Sequence, residues 1–202
     1  MRSESRNRLL SRAVEHLAGH GVGGLSLRGL AADIGTSHRM LIYHFGSMEG
    51  LLVEVVRHVE ERQRAVLTTL TRDPVASPAD AIRAMWHHLA DPALWPLERL
   101  FFELYGQALQ GRPGTAPLLD GVVESWLDLN VDLAGRWGVP AEVARTHARL
   151  GLAVIRGLLL DLLATGDRAG TDAAVEAFAA AYQDGLPVPT RAPAGPDSGP
   201  DD

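Results

Sequence analysis

Apolar side chains recur at helical intervals along almost the whole chain. Leu9, Leu10, Ala13, Val14 and Leu17 form one stripe, which predicts an amphipathic helix over residues 6–18 that ends in the glycine-rich Gly19 to Gly24. Leu27, Leu30, Ala31 and Ile34 share one helical face, with Ser26 placed to cap them. Gly35 tolerates the left-handed conformation that closes this short helix. Ser37 then caps a third helix running through His44, with Met40 and Leu41 turned inward. Two short helices joined by a turn of about three residues result, and the small Ala31 suits a tight crossing between them.

A long helix begins at Ser47 and runs to about Thr71, with Leu51, Leu52, Val55, Val56, Val59, Val66, Leu67 and Leu70 on its apolar side. Arg57, Glu60, Glu61, Arg62 and Arg64 read as its solvated face. Pro74 to Pro78 is the strongest punctuation in the chain. Ser77, Pro78 and Asp80 open a helix whose face is Ala81, Ile82, Met85, Trp86 and Leu89. A break at Asp91-Pro92 and a restart at Pro96 lead to a helix ending near Leu109, before the GRPG run at 111–114. Two long helices are predicted at 116–137 and 140–165, and a last one at 172–182.

The helix at 140–165 is apolar around much of its circumference, so it needs cover on more than one side. One side meets the chain's own core and another a second subunit, with Gly151 and Gly157 permitting close approach. Arg156 and Asp161 belong at solvent or at the rim of that contact. Residues 186–202, with five prolines and an acidic end, are expected to be disordered. No alternating strand pattern appears, and the fold class is all-α.

In the third helix the side chains not needed for packing include His38, Arg39, Tyr43 and His44, which offer donors, a cation and an aromatic ring. These chemistries read DNA grooves and phosphates. Here the sequence resembles the TetR (tetracycline-repressor-like) family of transcriptional regulators. Gly35, Thr36, Ser37, Leu41, Tyr43, His44, Phe45, Gly46, Ser47, Glu49 and Leu51 match the family's helix-turn-helix pattern in order, and the resemblance covers residues 5 to 55. Two positions depart from it: Ile42 stands where the family usually carries Tyr, and Met48 where it carries a basic residue. Some phosphate affinity must then come from elsewhere, and Arg2, Arg6 and Arg8 lie where they could reach the DNA backbone or minor groove.

The resemblance implies a DNA-binding unit over residues 1–46, a connecting helix over 47–73 and a helical effector-binding and dimerisation unit over 74–185. The DNA-binding set is Arg28, Thr36, Ser37, His38, Arg39, Met40, Tyr43 and His44. Arg39 and His38 are assigned to base edges, Met40 and Tyr43 to apolar or phosphate contact, and Thr36, Ser37 and His44 to phosphates. A homodimer is implied, held by a four-helix bundle of the two penultimate long helices. Its double-stranded DNA operator is palindromic, with half-sites about 34 to 36 Å apart or a close multiple. A largely apolar small-molecule effector is implied as well, with Trp86, Leu89, Phe101, Phe102, Tyr105, Trp126 and Asn130 as candidate lining residues. Phe101 and Phe102 are adjacent and should point apart.

Composition narrows this further. The net charge of −6 argues against a protein coated in nucleic acid, yet residues 1–46 carry six arginines against Glu4, Glu15 and Asp33. The basic end is the end with the motif, which suits reversible, salt-sensitive contact. All 19 cations are arginine and there is no cysteine, which excludes disulfides and cysteine-ligated metals. No apolar run is long enough to span a membrane, and the residues after Met1 are polar, so a cytoplasmic protein is expected. No GxSxG, P-loop, HExxH or Glu-x-x-His pattern is present, so no enzyme and no cofactor is expected. His16 and His20 have a chelating spacing but no third ligand placed beside them, and His87, His88 and His147 stand apart from obvious partners. The competing reading is a helical dimeric protein-interaction module that has lost DNA recognition.

Overall fold

A computed structural model describes residues 2–21, 24–71 and 77–185, with side chains from Glu4 onward. These residues form helices α1 (Arg2–His20), α2 (Leu27–Asp33), α3 (His38–Phe45), α4 (Met48–Leu70), α5 (Pro78–Leu89), α6 (Trp95–Leu109), α7 (Glu124–Gly135), α8 (Ala141–Thr165) and α9 (Arg168–Gly185). Among the described residues there is no strand. The 186–202 tail and Pro74 to Ala76 lie outside them.

Serines set four of the helix starts. Ser26, Ser37, Ser47 and Ser77 accept backbone N–H groups from Gly29, Met40, Gly50 and Asp80 at 3.1, 3.2, 3.0 and 3.2 Å. Each cap satisfies a donor that the helix itself leaves orphaned, a stabilisation of about 1 kcal/mol.

Three elements differ from the sequence reading. The stretch 116–137 is not one helix: Ala116–Leu119 is a single 3-10 turn, and α7 starts only at Glu124. Pro117 lacks a helical donor, and Gly121 turns the chain at φ +71°. The last helix begins earlier than expected, at Arg168, because Asp167 accepts the Gly170 N–H at 2.9 Å and so caps it. α1 likewise starts at Arg2, with Glu4 in its first turn favouring the N-terminal dipole.

Two apolar cores result. The first gathers Leu17, Leu30, Leu41 and Leu51 from α1 to α4 and continues without a break into Leu97, Leu100, Phe101 and Leu104 of α6. The second joins Leu67 of α4 to Met85 and Trp86 of α5, Trp126 of α7, Leu159 and Leu162 of α8, and Val175 of α9. Glu60, expected on the solvated face of α4, is buried between them.

α8 has a second apolar side. Leu150, Ala153, Gly157 and Leu160 recur along it at helical spacing and are all exposed. A Cβ at Gly157 would meet open space, whereas one at Gly151 would touch Tyr182 of α9 at 3.6 Å. Gly151 therefore serves packing within the chain and Gly157 faces outward. Beside this stripe α9 exposes Ala173, Ala177, Ala180 and Ala181. The outer side of α7 is charged instead, with Glu124 and Asp128 paired to Arg145 of α8, at 2.9 Å for Asp128. Among the described residues no helix is long and apolar enough to cross a membrane.

Candidate nucleic-acid interface and enclosed cavity

The turn between α2 and α3 is fixed by backbone bonds. Gly35 adopts φ +68°, the Thr36 N–H donates to Ala31 O at 2.8 Å, and Arg12 donates to Ile34 O at 3.2 Å. α3 then buries only Leu41 and Phe45, one turn apart, and presents the rest of its surface.

His38, Arg39, Met40, Ile42 and Tyr43 are exposed on α3, and Arg28 is exposed on α2. Met40 was expected inward and points out instead, because Leu41 and Phe45 alone fill the narrow contact. The Ser37 hydroxyl is engaged with the Met40 N–H, and Thr36 is half-buried. His44 is partly turned into the protein, with its Nε2 enclosed and lacking a hydrogen-bond partner. Met48, the position where a basic residue was missed, packs against the first core.

Arg6 does not reach outward as expected: it pairs with Glu54 and lies over the Phe45 ring at 5.3 Å. Arg8 is exposed, while the side chain of Arg2 lies outside the described residues. His16 and His20 stack at 4.4 Å, with His16 Nε2 3.6 Å from Asp33, so this pair ties α1 to α2.

The position of α3 is tied to that of α4. Gly46 joins them at φ +78°, and a Cβ at Gly50 in the first turn of α4 would run into the Phe45 carbonyl that ends α3. The loop after α6 meets the same turn: a Cβ at Gly114 would sit 3.0 Å from Glu49 Cβ.

α4 to α9 line a cavity of about 110 Å³ that is partly open to solvent. Leu89, Phe101, Phe102, Trp126 and Asn130 line it, as read from the sequence, but Trp86 and Tyr105 do not. Trp86 is core, its indole N–H donated to Asp172 at 2.6 Å. Tyr105 stacks on Phe101 at 5.4 Å, behind the wall. Phe101 and Phe102 both reach the lining despite their adjacency, meeting edge to face at 5.2 Å, because the cavity wraps around that turn of α6.

The polar part of the lining was not anticipated. Glu60 receives the Trp126 N–H and lies 3.5 Å from both Arg64 and Arg156. Arg156, expected at solvent or rim, points inward, donates to Val122 O at 3.2 Å and covers the Phe101 ring at 4.9 Å. Beside this pair Gln63 donates to the Glu98 carboxyl. Glu98 is 3% exposed and has no ion-pair partner within 4.0 Å among the described residues. Burial, with help from the charge on Glu60, pushes its carboxyl up to about 8, against the opposing pull of Gln63 and Arg156. Burial also raises Glu60, opposed chiefly by Arg156, and lowers Arg156.

The missed residues left a trace in the sequence. Glu60 and Gln63 lie between Val56 and Leu67 at the spacing of a buried seam, and Arg156 falls between Leu152 and Leu159 in the same way. Charge alone suggested solvent, and the register pointed inward.

A helix-turn-helix unit carried on a helical body with an internal cavity is an architecture suited to coupling DNA binding to a small molecule. Residues 9–55 match the family model of the bacterial regulatory proteins of the tetR family, so this segment carries that family's DNA-binding unit. The chain is similar in fold to a transcriptional regulator from Rhodococcus sp. Rha1, at 22% identity over 90% of this chain and 97% of that one, with a TM-score of 0.71. The multidrug binding protein EbrR, solved with imidazole, matches at 23% identity over 93% and 92% of the two chains with a TM-score of 0.66. A regulator from Saccharomonospora viridis, solved with choline, matches at 19% identity over 91% and 98% with a TM-score of 0.64. No curated protein matches the chain.

Proposed function

We infer that this regulator is a homodimeric repressor that holds a palindromic operator through α3 and releases it when a small molecule occupies the internal cavity. The observation that carries this reading is the shared wall. α4 and α6 line the cavity, α4 also sets the position of α3 through the Phe45–Gly50 contact, and α6 shares one core with α1. A ligand that prefers a different spacing of α4 and α6 therefore changes the separation of the two recognition helices in a dimer, and with it operator affinity.

Arg39 and His38 are the base-reading residues in this reading, Met40 and Tyr43 add apolar or phosphate contact, and Arg28, Thr36, Ser37 and His44 border the DNA backbone. The reading keeps the working units at 1–46, 47–73 and 74–185. Dimerisation is assigned to the exposed stripe of α8 with the alanine face of α9, rather than to α7, whose outer side is charged. The relatives solved with imidazole and with choline support a small-molecule role for the cavity, and its polar lining makes the effector less uniformly apolar than the sequence alone implied.

The test is selection of bound duplexes from a random DNA pool with purified protein near physiological salt, followed by a salt titration of the selected sequence. An enriched palindrome whose affinity falls steeply with salt is expected. No enrichment at any salt would return the weight to a helical interaction module.

A further inference from the structure

The cavity joins an aromatic wall to an acidic floor. Its walls are aromatic, with Phe101, Phe102, Trp126, Trp137 and Tyr182, and its polar floor holds two carboxylates, Glu60 and Glu98. Glu60 is fully engaged by Arg64, Arg156 and the Trp126 N–H. Glu98 has only the Gln63 amide. A buried carboxylate without a cation is costly, and so this group carries a proton when the cavity is empty of charge.

We propose that the cavity takes a small organic monocation with an apolar body, seated with its charge at the Glu98 carboxylate and its body against Phe101, Phe102 and Trp126. The inference rests on the reading of the cavity as the effector site. Aromatic faces attract a desolvated cation through their quadrupoles, and the carboxylate supplies the specific counter-charge. Charge balance favours a cation over an anion. When the cation enters and the Glu98 proton leaves to solvent, the net charge of the buried cluster is unchanged. An anion would have to draw Arg156 away from Glu60 and strand that carboxylate.

Other ionisable groups around the cavity do not compete for this role. α4 brings Glu60, with Arg64 behind it, α8 brings Arg156, and α9 brings Tyr182, whose hydroxyl burial pushes up to about 12. Tyr105 stands behind the wall on the same helix as Glu98, and α5 and α7 contribute no titratable side chain to the lining. Cation binding must therefore release a proton from Glu98, about one per cation at pH 6 and about half at pH 8, and affinity should rise by about 50-fold between pH 6 and pH 8 for a carboxyl held at about 8.

The experiment is calorimetric titration of the full chain with three probes at pH 6, 7 and 8. They are benzyltrimethylammonium, its uncharged carbon isostere neopentylbenzene, and benzoate. The expected result is binding of the ammonium probe well above the other two, strengthening with pH. Glu98→Gln should weaken it by on the order of 10- to 100-fold and abolish the pH dependence. Neopentylbenzene binding serves as the folding control for that variant, and it should be unchanged. Equal binding of the ammonium probe and its isostere, insensitive to pH and to Glu98→Gln, would overturn the cation seat while leaving an effector cavity in place. Stronger binding of benzoate would do the same. Binding of none of the three would overturn the effector reading of the cavity as well.

Discussion

Arg156 of α8 and Glu60 of α4 meet at 3.5 Å inside the protein, and theirs is the contact through which the longest helix of the body reaches the helix that follows the DNA-reading unit. Both groups are largely withdrawn from water, so each depends on the other. Removing one partner leaves an uncompensated buried charge, which costs about 3 kcal/mol, toward the lower end of the usual range because Arg64 remains beside Glu60. Arg156→Ala should lower the urea midpoint accordingly. An unchanged midpoint would mean that Arg64 alone satisfies Glu60.

Glu98 should make stability depend on pH. Its carboxyl is held at about 8 in the fold against an ordinary value of 4.5. Between those values the folded chain keeps a proton that the unfolded chain has released. The contribution is therefore whole below pH 4.5 and is lost as pH rises through 8. Unfolding free energy should fall across that window by up to about 1.4 kcal/mol per pH unit relative to Glu98→Gln. Denaturant titrations of both proteins at pH 6, 7 and 8 check this, and parallel curves would refute it.

Arg39→Ala should remove sequence preference along with affinity, costing about 1–3 kcal/mol of discrimination at the base pair it reads. Arg28→Ala should weaken all duplexes alike and reduce the salt dependence. Binding isotherms on operator variants separate the two. Unchanged discrimination in Arg39→Ala would remove that side chain from base reading.

The double variant Leu150→Glu, Leu160→Glu places two charges on the exposed stripe of α8 without touching either core. Sedimentation equilibrium should then report monomers, with α-helical circular dichroism retained. A dimer that survives both charges would put the interface elsewhere.

Gly50→Ala should cost about 1–3 kcal/mol, because its Cβ and the Phe45 carbonyl cannot occupy the same place and the α3–α4 junction must open. Operator affinity should drop with it. Thermal unfolding and operator binding at native affinity would show that the junction yields without consequence.

Most of the fold was legible because local signals and packing agreed. Ser26, Ser37 and Ser77 announced their helices, and the stripes of α1, α4 and α5 matched the faces they bury. Where a helix was misjudged, as across 116–137, a proline and a glycine were outvoted by an apolar run that in the fold spans a turn. The exposed face of α3 was legible through its motif, except at Met40, whose side depended on how little of α3 the core covers. The cavity's aromatic wall could be guessed from composition, and five of the seven candidate residues line it. Its acidic floor could not, because burying Glu60, Glu98 and Arg156 becomes tolerable only when helices distant in sequence bring the partners together.

The unbroken core from α1 through Leu97, Leu100, Phe101 and Leu104 of α6 bears on how such a regulator can be rebuilt. A chimera spliced after residue 46 or 73 would carry the reading head away from the α6 surface it is seated on, and would expose leucines made for α6. Transplanting this specificity onto another body calls for redesigning the recipient's α6 face along with the head. The joint worth preserving is a packed surface, and no cut in the linear sequence marks it.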